Sequence, residues 1–182
     1  MTRTTLEYAR PAGSVAGRTD LDAHIRGARK VLERILGERV HLEVDVAPGL
    51  PPAGIDATAL TQVLVNLASN ARDAMPAGGT VRITAALHAG QGSGAELEIL
   101  RGQHIDLRVI DTGVGMDEAT RSHVFEAFYT TKAKPSAAHR GSGSGLGLSS
   151  VWLLVTAAGG TVKIASQPGA GTAFTVALPI AG

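Results

Sequence analysis

The alternation of two hydrophobic periods along the chain constrains its fold more tightly than any other feature. Some segments repeat their apolar residues every three or four positions, as a half-buried helix does, and others every second position, as a half-buried strand does. The first helical segment opens at Asp20 as its cap. It carries Leu21, Ile25, Ala28, Leu32 and Ile35 on one face and closes at Gly37. Residues 41–47 then alternate, with Leu42, Val44 and Val46 on one side. A second helix is predicted from Asp56 to Met75, stopping before Pro76 and Gly78-Gly79. Strands are predicted at 81–87 and 105–110, and residues 95–103 add a candidate short strand. A short helix over 117–125 and an aperiodic stretch over 126–142 come next. An almost wholly apolar helix follows over 146–158 and ends at Gly159-Gly160. Two strands, 161–166 and 172–178, close the chain, joined by the hairpin link Gln167-Pro168-Gly169-Ala170-Gly171. Strands therefore occur both as hairpin neighbours and separated by helices. A doubly wound parallel sheet would put a helix at every crossing, so the pattern predicts an α+β two-layer sandwich.

Composition narrows the function. The 182 residues contain no Cys, which excludes a disulfide framework and any thiolate metal site. A net charge of +1 gives no global attraction to nucleic acid or to an anionic membrane. Six aromatic residues are too few for stacking along a single strand of nucleic acid. The longest apolar run, 151–155, is of core length, and residues 1–15 lack an apolar signal segment. The expectation is a soluble, cytoplasmic chain, or the cytosolic part of a larger membrane-bound protein, without direct membrane or nucleic-acid contacts of its own. Residues 1–19 form an N-terminal segment with two readings left open: a frayed end, or the tail of a helix begun elsewhere plus a linker.

Three features carry chemistry. On the second helix, Gln62, Asn66, Asn70 and Asp73 share a polar stripe at steps of four, four and three, beside the apolar one. Asn lowers helix propensity, and its side-chain oxygen is a ligand type for Mg2+. Asp111-Thr-Gly-Val-Gly-Met116 ends a buried strand with a carboxylate that needs a donor, and a ligand amine is one. Gly141-Ser-Gly-Ser-Gly-Leu-Gly147 runs straight into a helix, whose first N–H groups and positive dipole end suit phosphate. Neither glycine segment is a Walker loop, since no Gly-Lys-Ser/Thr occurs. Neither is a dinucleotide fingerprint, since Glu118 and Leu148 stand where that pattern needs Gly.

In this order and spacing the features resemble the ATP-binding domain of sensor histidine kinases, in the GHKL superfamily with gyrase B, MutL and the heat-shock chaperone ATPases. NLASNARDAM (66–75) is similar to its N box and DTGVGM (111–116) to its first glycine box. VFEAFYTTK (124–132) is similar to its F box and GSGLGLS (143–149) to its second glycine box. The resemblance covers residues 20–180 and implies a mixed, mostly antiparallel sheet covered on one face by helices.

It further implies ATP and Mg2+ as cofactors. Asn70 would be the metal ligand, with Asn66 near the phosphates and Asp73 beside them. Asp111 would accept the adenine amine, and Gly113, Gly115 and Met116 would shape the adenine pocket. Residues 126–142 would be an ATP lid, anchored by Phe125 and Phe128, with Thr131 and Lys132 at the phosphates. Gly143, Ser144, Gly145, Leu146, Gly147 and Leu148 would cradle them, and Asn66, Asn70 and Lys132 would carry the catalytic roles.

The implied reaction is transfer of the ATP γ-phosphoryl group to a histidine on a dimerising helical domain, and from there to a response regulator. None of the six histidines (24, 41, 88, 104, 123 and 139) is followed by Glu or Asp, as that acceptor typically is. The acceptor domain would therefore be a missing part or a separate chain, and the isolated chain a monomer. The hydrolysing members carry a Glu where Asn66 stands, and Asn is no general base, which favours phosphoryl transfer over hydrolysis. Two alternatives stay open: a serine kinase of the anti-sigma type, and a nucleotide-dependent interaction module without phosphotransfer.

Overall fold

A computed structural model describes residues 17–88, 103–126, 129 and 145–182. Among the described residues nine elements follow in the expected order. They are α1 (Leu21–Leu36), β1 (Val40–Val46), α2 (Ala57–Ala74), β2 (Gly79–His88) and β3 (His104–Asp111), then α3 (Glu118–His123), α4 (Gly147–Ala157), β4 (Thr161–Ser166) and β5 (Thr172–Pro179). The candidate strand over 95–103 and the stretch 130–142 fall outside the described residues, except for Gln103.

One five-stranded sheet has the order β1-β2-β3-β5-β4. Among the described residues β1 and β2 pair in parallel, with α2 as the crossover that a parallel pair needs, and the β2–β3, β3–β5 and β4–β5 pairs are antiparallel. The two-residue period decides which face is covered. Val81, Ile83 and Ala85 of β2, Ile105, Leu107 and Val109 of β3, and Phe174, Val176 and Leu178 of β5 are buried in one core. That core is completed by Leu21, Ile25, Leu32 and Leu36 of α1, six residues of α2 from Leu60 to Ala71, and Val151 and Val155 of α4. The alternate strand residues, such as Arg82, Arg108 and Lys163, face outward and are exposed. This is the α+β two-layer arrangement, with helices on one face of a mixed sheet.

The caps set where the helices begin. Asp20 accepts from the Ala23 N–H at 3.1 Å, and Asp56 accepts from Thr58 and Ala59 at 2.8 and 3.2 Å. Those backbone N–H groups, Ala59 first, hold the Asp56 carboxyl below the ordinary aspartate range. Thr19, ahead of α1, is buried. Its hydroxyl donates to the Ile55 carbonyl at 2.6 Å, and its backbone bridges Ala53, which in turn bridges Ile180. The entry to α1 and the exit from β5 are thus tied to the loop that feeds α2.

Candidate functional site

The apolar stripe of α2 fixes where its polar stripe points. Leu60, Val63, Leu64, Leu67, Ala68 and Ala71 are buried, so Asn66, Asn70 and Asp73 come to the rim of the core, half-buried, while Gln62 is exposed. Gln62 donates to the Asn66 Oδ1 at 3.2 Å, and Arg72 pairs with Asp73 at 2.7 Å. Asn70 is different. Its Nδ2 is buried and has no hydrogen-bond partner among the described residues. A buried amide without a partner is costly, and such groups point to a missing ligand, ion or water.

The start of α4 lies against the same stripe. A Cβ added at Gly147 would stand 3.8 Å from the Asn70 Nδ2 and 4.0 Å from the Asn66 Oδ1. No side chain caps this helix: Leu146 occupies the cap position and makes no side-chain cap bond. The first N–H groups of α4, with the positive end of its dipole, are therefore offered beside two amides. Gly145, just ahead, has φ +69. Leu148 packs partly buried against the core, which fixes the helix start in place.

The first glycine segment closes the far end of this surface. Ala74 lies one helical turn beyond Asn70, about 6 Å along the axis. Its carbonyl accepts the Val114 N–H at 3.0 Å. A Cβ at Gly113 would meet the Ala74 carbonyl oxygen at 2.7 Å and the Asp111 Oδ1 at 2.8 Å, so only glycine lets the segment approach α2 this closely. Gly115 has φ +68, and a Cβ there would overlap the Gln167 carbonyl oxygen at 1.9 Å. Met116, half-buried, donates its N–H to the Ser166 hydroxyl at 2.9 Å.

Asp111 ends β3 and is only 6% exposed. Its Oδ1 accepts from the backbone N–H of Gly113 at 2.9 Å and of Thr172 at 3.2 Å. Both bonds fall on one oxygen, which leaves Oδ2 for a ligand. Burial raises the carboxyl above the ordinary aspartate range, and the two N–H groups oppose that shift. An amine donor on Oδ2 would favour the charged form.

Asn66, Asn70, Gly113 and the α4 start at Leu146, Gly147 and Leu148 are thus brought along one side of α2, with Asp111 against Gly113. Phe125 packs on the core. Thr131, Lys132, Gly143, Ser144 and Phe128 lie outside the described residues. Sequence reasoning missed the supporting role of the β4–β5 hairpin. Ser166, Gln167, Gly171 and Thr172 hold the glycine segment from behind, and Gly169 donates to the Val114 carbonyl at 2.7 Å. The Pro-Gly-Ala-Gly link was legible as a turn, but no local pattern says which loop a turn will touch.

A mixed sheet with helices on one face, and a carboxylate, two asparagines and an uncapped helix start set along one helix, define an ATP-binding class of domain. The chain belongs to the histidine kinase-, DNA gyrase B- and HSP90-like ATPase family, whose model matches residues 55–182. It is similar to the sensor kinase CckA of Brucella abortus, 35% identical over 162 residues that make up 88% of this chain and 16% of that protein. The signal transduction histidine-protein kinase AtoS of Escherichia coli is 30% identical over 176 residues, 96% of this chain and 26% of AtoS. Among solved structures, full-length ShkA in complex with AMPPNP matches with a TM-score of 0.72 at 27% identity, over 95% of this chain and 32% of ShkA. The mycobacterial sensor histidine kinase MprB matches with a TM-score of 0.66 at 27% identity, over 91% of this chain and 97% of the solved one. Within the family, the chain is an ATP-binding catalytic domain of the sensor histidine kinase kind. It spans less than half the length of curated relatives such as CckA and AtoS. Among the described residues no helix is long and apolar enough to cross a membrane.

Proposed function

We propose that the chain binds ATP with Mg2+ and transfers the γ-phosphoryl group to a histidine on a separate dimerising helical domain, which in turn feeds a response regulator. The observation that carries the reading is the buried amide of Asn70, without a hydrogen-bond partner among the described residues, beside the uncapped start of α4. An asparagine amide can present either end by turning about χ2. With nitrogen outward it would donate to a phosphate oxygen, and with oxygen outward it would ligate Mg2+. The residues present therefore fit the metal, with Asn70 as its protein ligand. When bound, Mg2+ supplies neutralisation of phosphate charge.

The chain's own residues supply position. The N–H groups at Gly147 and Leu148 would hold the phosphates, and Asp111 would fix the adenine amine through Oδ2. Asn66 has no basic group, so water is not activated there and the attacking atom is the partner's imidazole nitrogen. That nitrogen forms the N–P bond, the bridging bond from the γ-phosphorus to the β-phosphate oxygen breaks, ADP leaves, and the imidazole gives up its proton. The domain itself would sit on the cytoplasmic side.

Labelled ATP mixed with this chain and a supplied helical acceptor domain tests the reading. Acid-labile phosphate on the acceptor is expected. Acid-stable phosphate would point to a serine kinase, and no label despite ATP binding to an interaction module.

A further inference from the structure

We propose that His88, His104 and Asp106 form a transition-metal site of Zn2+ type at the end of the β2–β3 ladder, remote from the nucleotide surface. The β register makes the site. His88 and His104 are directly opposed across the antiparallel pair, and Asp106 lies two residues on, opposite Ala86, so all three share one face of the sheet. The imidazoles are stacked with centroids 4.8 Å apart. His88 Nδ1 lies 3.3 Å from one carboxylate oxygen of Asp106, and His104 Nε2 lies 3.3 Å from the other. One ligand atom from each residue falls within 4.8 Å of the others.

These separations suit a metal site. A charge-assisted N–H···O bond closes to about 2.7–2.9 Å. The exposed pair His123–Glu126 in this same chain does so, at 2.7 Å. The two contacts on Asp106 stay 3.3 Å long although His104 is only 2% exposed and Asp106 25%. Zn2+ bonds to nitrogen and oxygen run about 2.0–2.2 Å, and the edge of a tetrahedron is about 1.63 times its bond length, or roughly 3.3–3.6 Å. With either carboxylate oxygen as the ligand, one nitrogen–oxygen distance already matches that edge. The remaining separations, within 4.8 Å, must shorten, and His88, 44% exposed, has room to turn. Two imidazoles and a carboxylate leave the fourth position to water, a donor set that suits Zn2+ and its neighbours over Mg2+, which prefers oxygen.

The site would staple two strands at the end of their ladder. β3 runs seven steps from His104 to Asp111, about 24 Å, so occupancy would not perturb the nucleotide surface directly. The test is a titration of the folded chain with Zn2+ alone, with chelator competition for affinity and Co2+ as a spectroscopic substitute. One Zn2+ per chain is expected. At a hundredfold excess over Kd the melting temperature should rise by about 5–10 °C. Co2+ should give the visible bands of a four-coordinate site. His88→Ala and Asp106→Asn should each weaken Zn2+ binding at least about tenfold and leave MgATP affinity unchanged. Millimolar binding by the wild type would overturn the proposal. So would unchanged Zn2+ affinity in both variants, which would place the ion on other histidines.

Discussion

Gly115 and Gly169 offer a matched pair of substitutions. Both residues hold a left-handed backbone, at φ +68 and +76, but their surroundings differ. At Gly169 an added Cβ meets nothing within 4 Å, whereas at Gly115 it would fall 1.9 Å from the Gln167 carbonyl oxygen and 3.1 Å from that of Gly171. Alanine at 169 should therefore cost only the left-handed penalty, about 1–2 kcal/mol. Alanine at 115 should cost that and also push the β4–β5 hairpin from the glycine segment, a further 1–3 kcal/mol typical of overpacking. In a chain of this size the difference is roughly 2–12 °C in melting temperature. The two variants should separate again in binding. The hairpin supports Met116 through Ser166 and Asp111 through Thr172, so Gly115→Ala should weaken ATP by about fivefold or more, and Gly169→Ala should leave it intact. Thermal melts with calorimetric ATP titrations of both variants provide the comparison. Equal destabilisation would show that the close approach at Gly115 is absent. A normal ATP affinity in a destabilised Gly115→Ala would mean that the glycine segment is no wall of the nucleotide site.

Two further outcomes follow from single groups. Asn70→Ala should remove the Mg2+-dependent part of ATP affinity and spare most of the metal-free part, as read by calorimetry with and without Mg2+, and equal loss in both conditions would make Asn70 merely structural. Burial raises the Asp111 carboxyl in the folded chain, so the folded state keeps that proton to higher pH than the unfolded one. Stability from this group is then greatest below the ordinary aspartate range and falls as pH rises through the raised value. Denaturation across that window should show the wild type losing stability relative to Asp111→Asn, and parallel curves would contradict the burial argument.

The sequence made the elements legible because each announced itself locally. Asp20 and Asp56 cap where they were expected to, and the alternation of 172–178 separates Phe174, Val176 and Leu178 from their neighbours. The pairing order was not legible, since nothing in the residues of β5 says that it inserts between β3 and β4. The same limit applies to the site. Asn66, Asn70, Asp111 and the glycines stand out by residue type and spacing. Thr172 and Gln167, which hold Asp111 and Gly115, are ordinary strand and turn residues whose roles arise only from contact. His88 and His104 are 16 positions apart, and only the register of an antiparallel pair makes them neighbours.

Asp111 is the proposed point of adenine recognition, and a paired titration of ATP and GTP tests that role most directly. Oδ1 is held by Gly113 and Thr172, so Oδ2 is the atom that would face the base. Adenine offers an amine there, and guanine a carbonyl oxygen. Opposing a buried carboxylate with a second acceptor costs about 1–3 kcal/mol, or roughly 5- to 150-fold in affinity. Asp111→Asn keeps an oxygen for the two backbone donors and puts an NH2 in place of Oδ2. The wild type should prefer ATP by that factor, and the variant should lose the preference or reverse it while remaining folded. A folded variant with an unchanged ATP-to-GTP ratio would contradict the account.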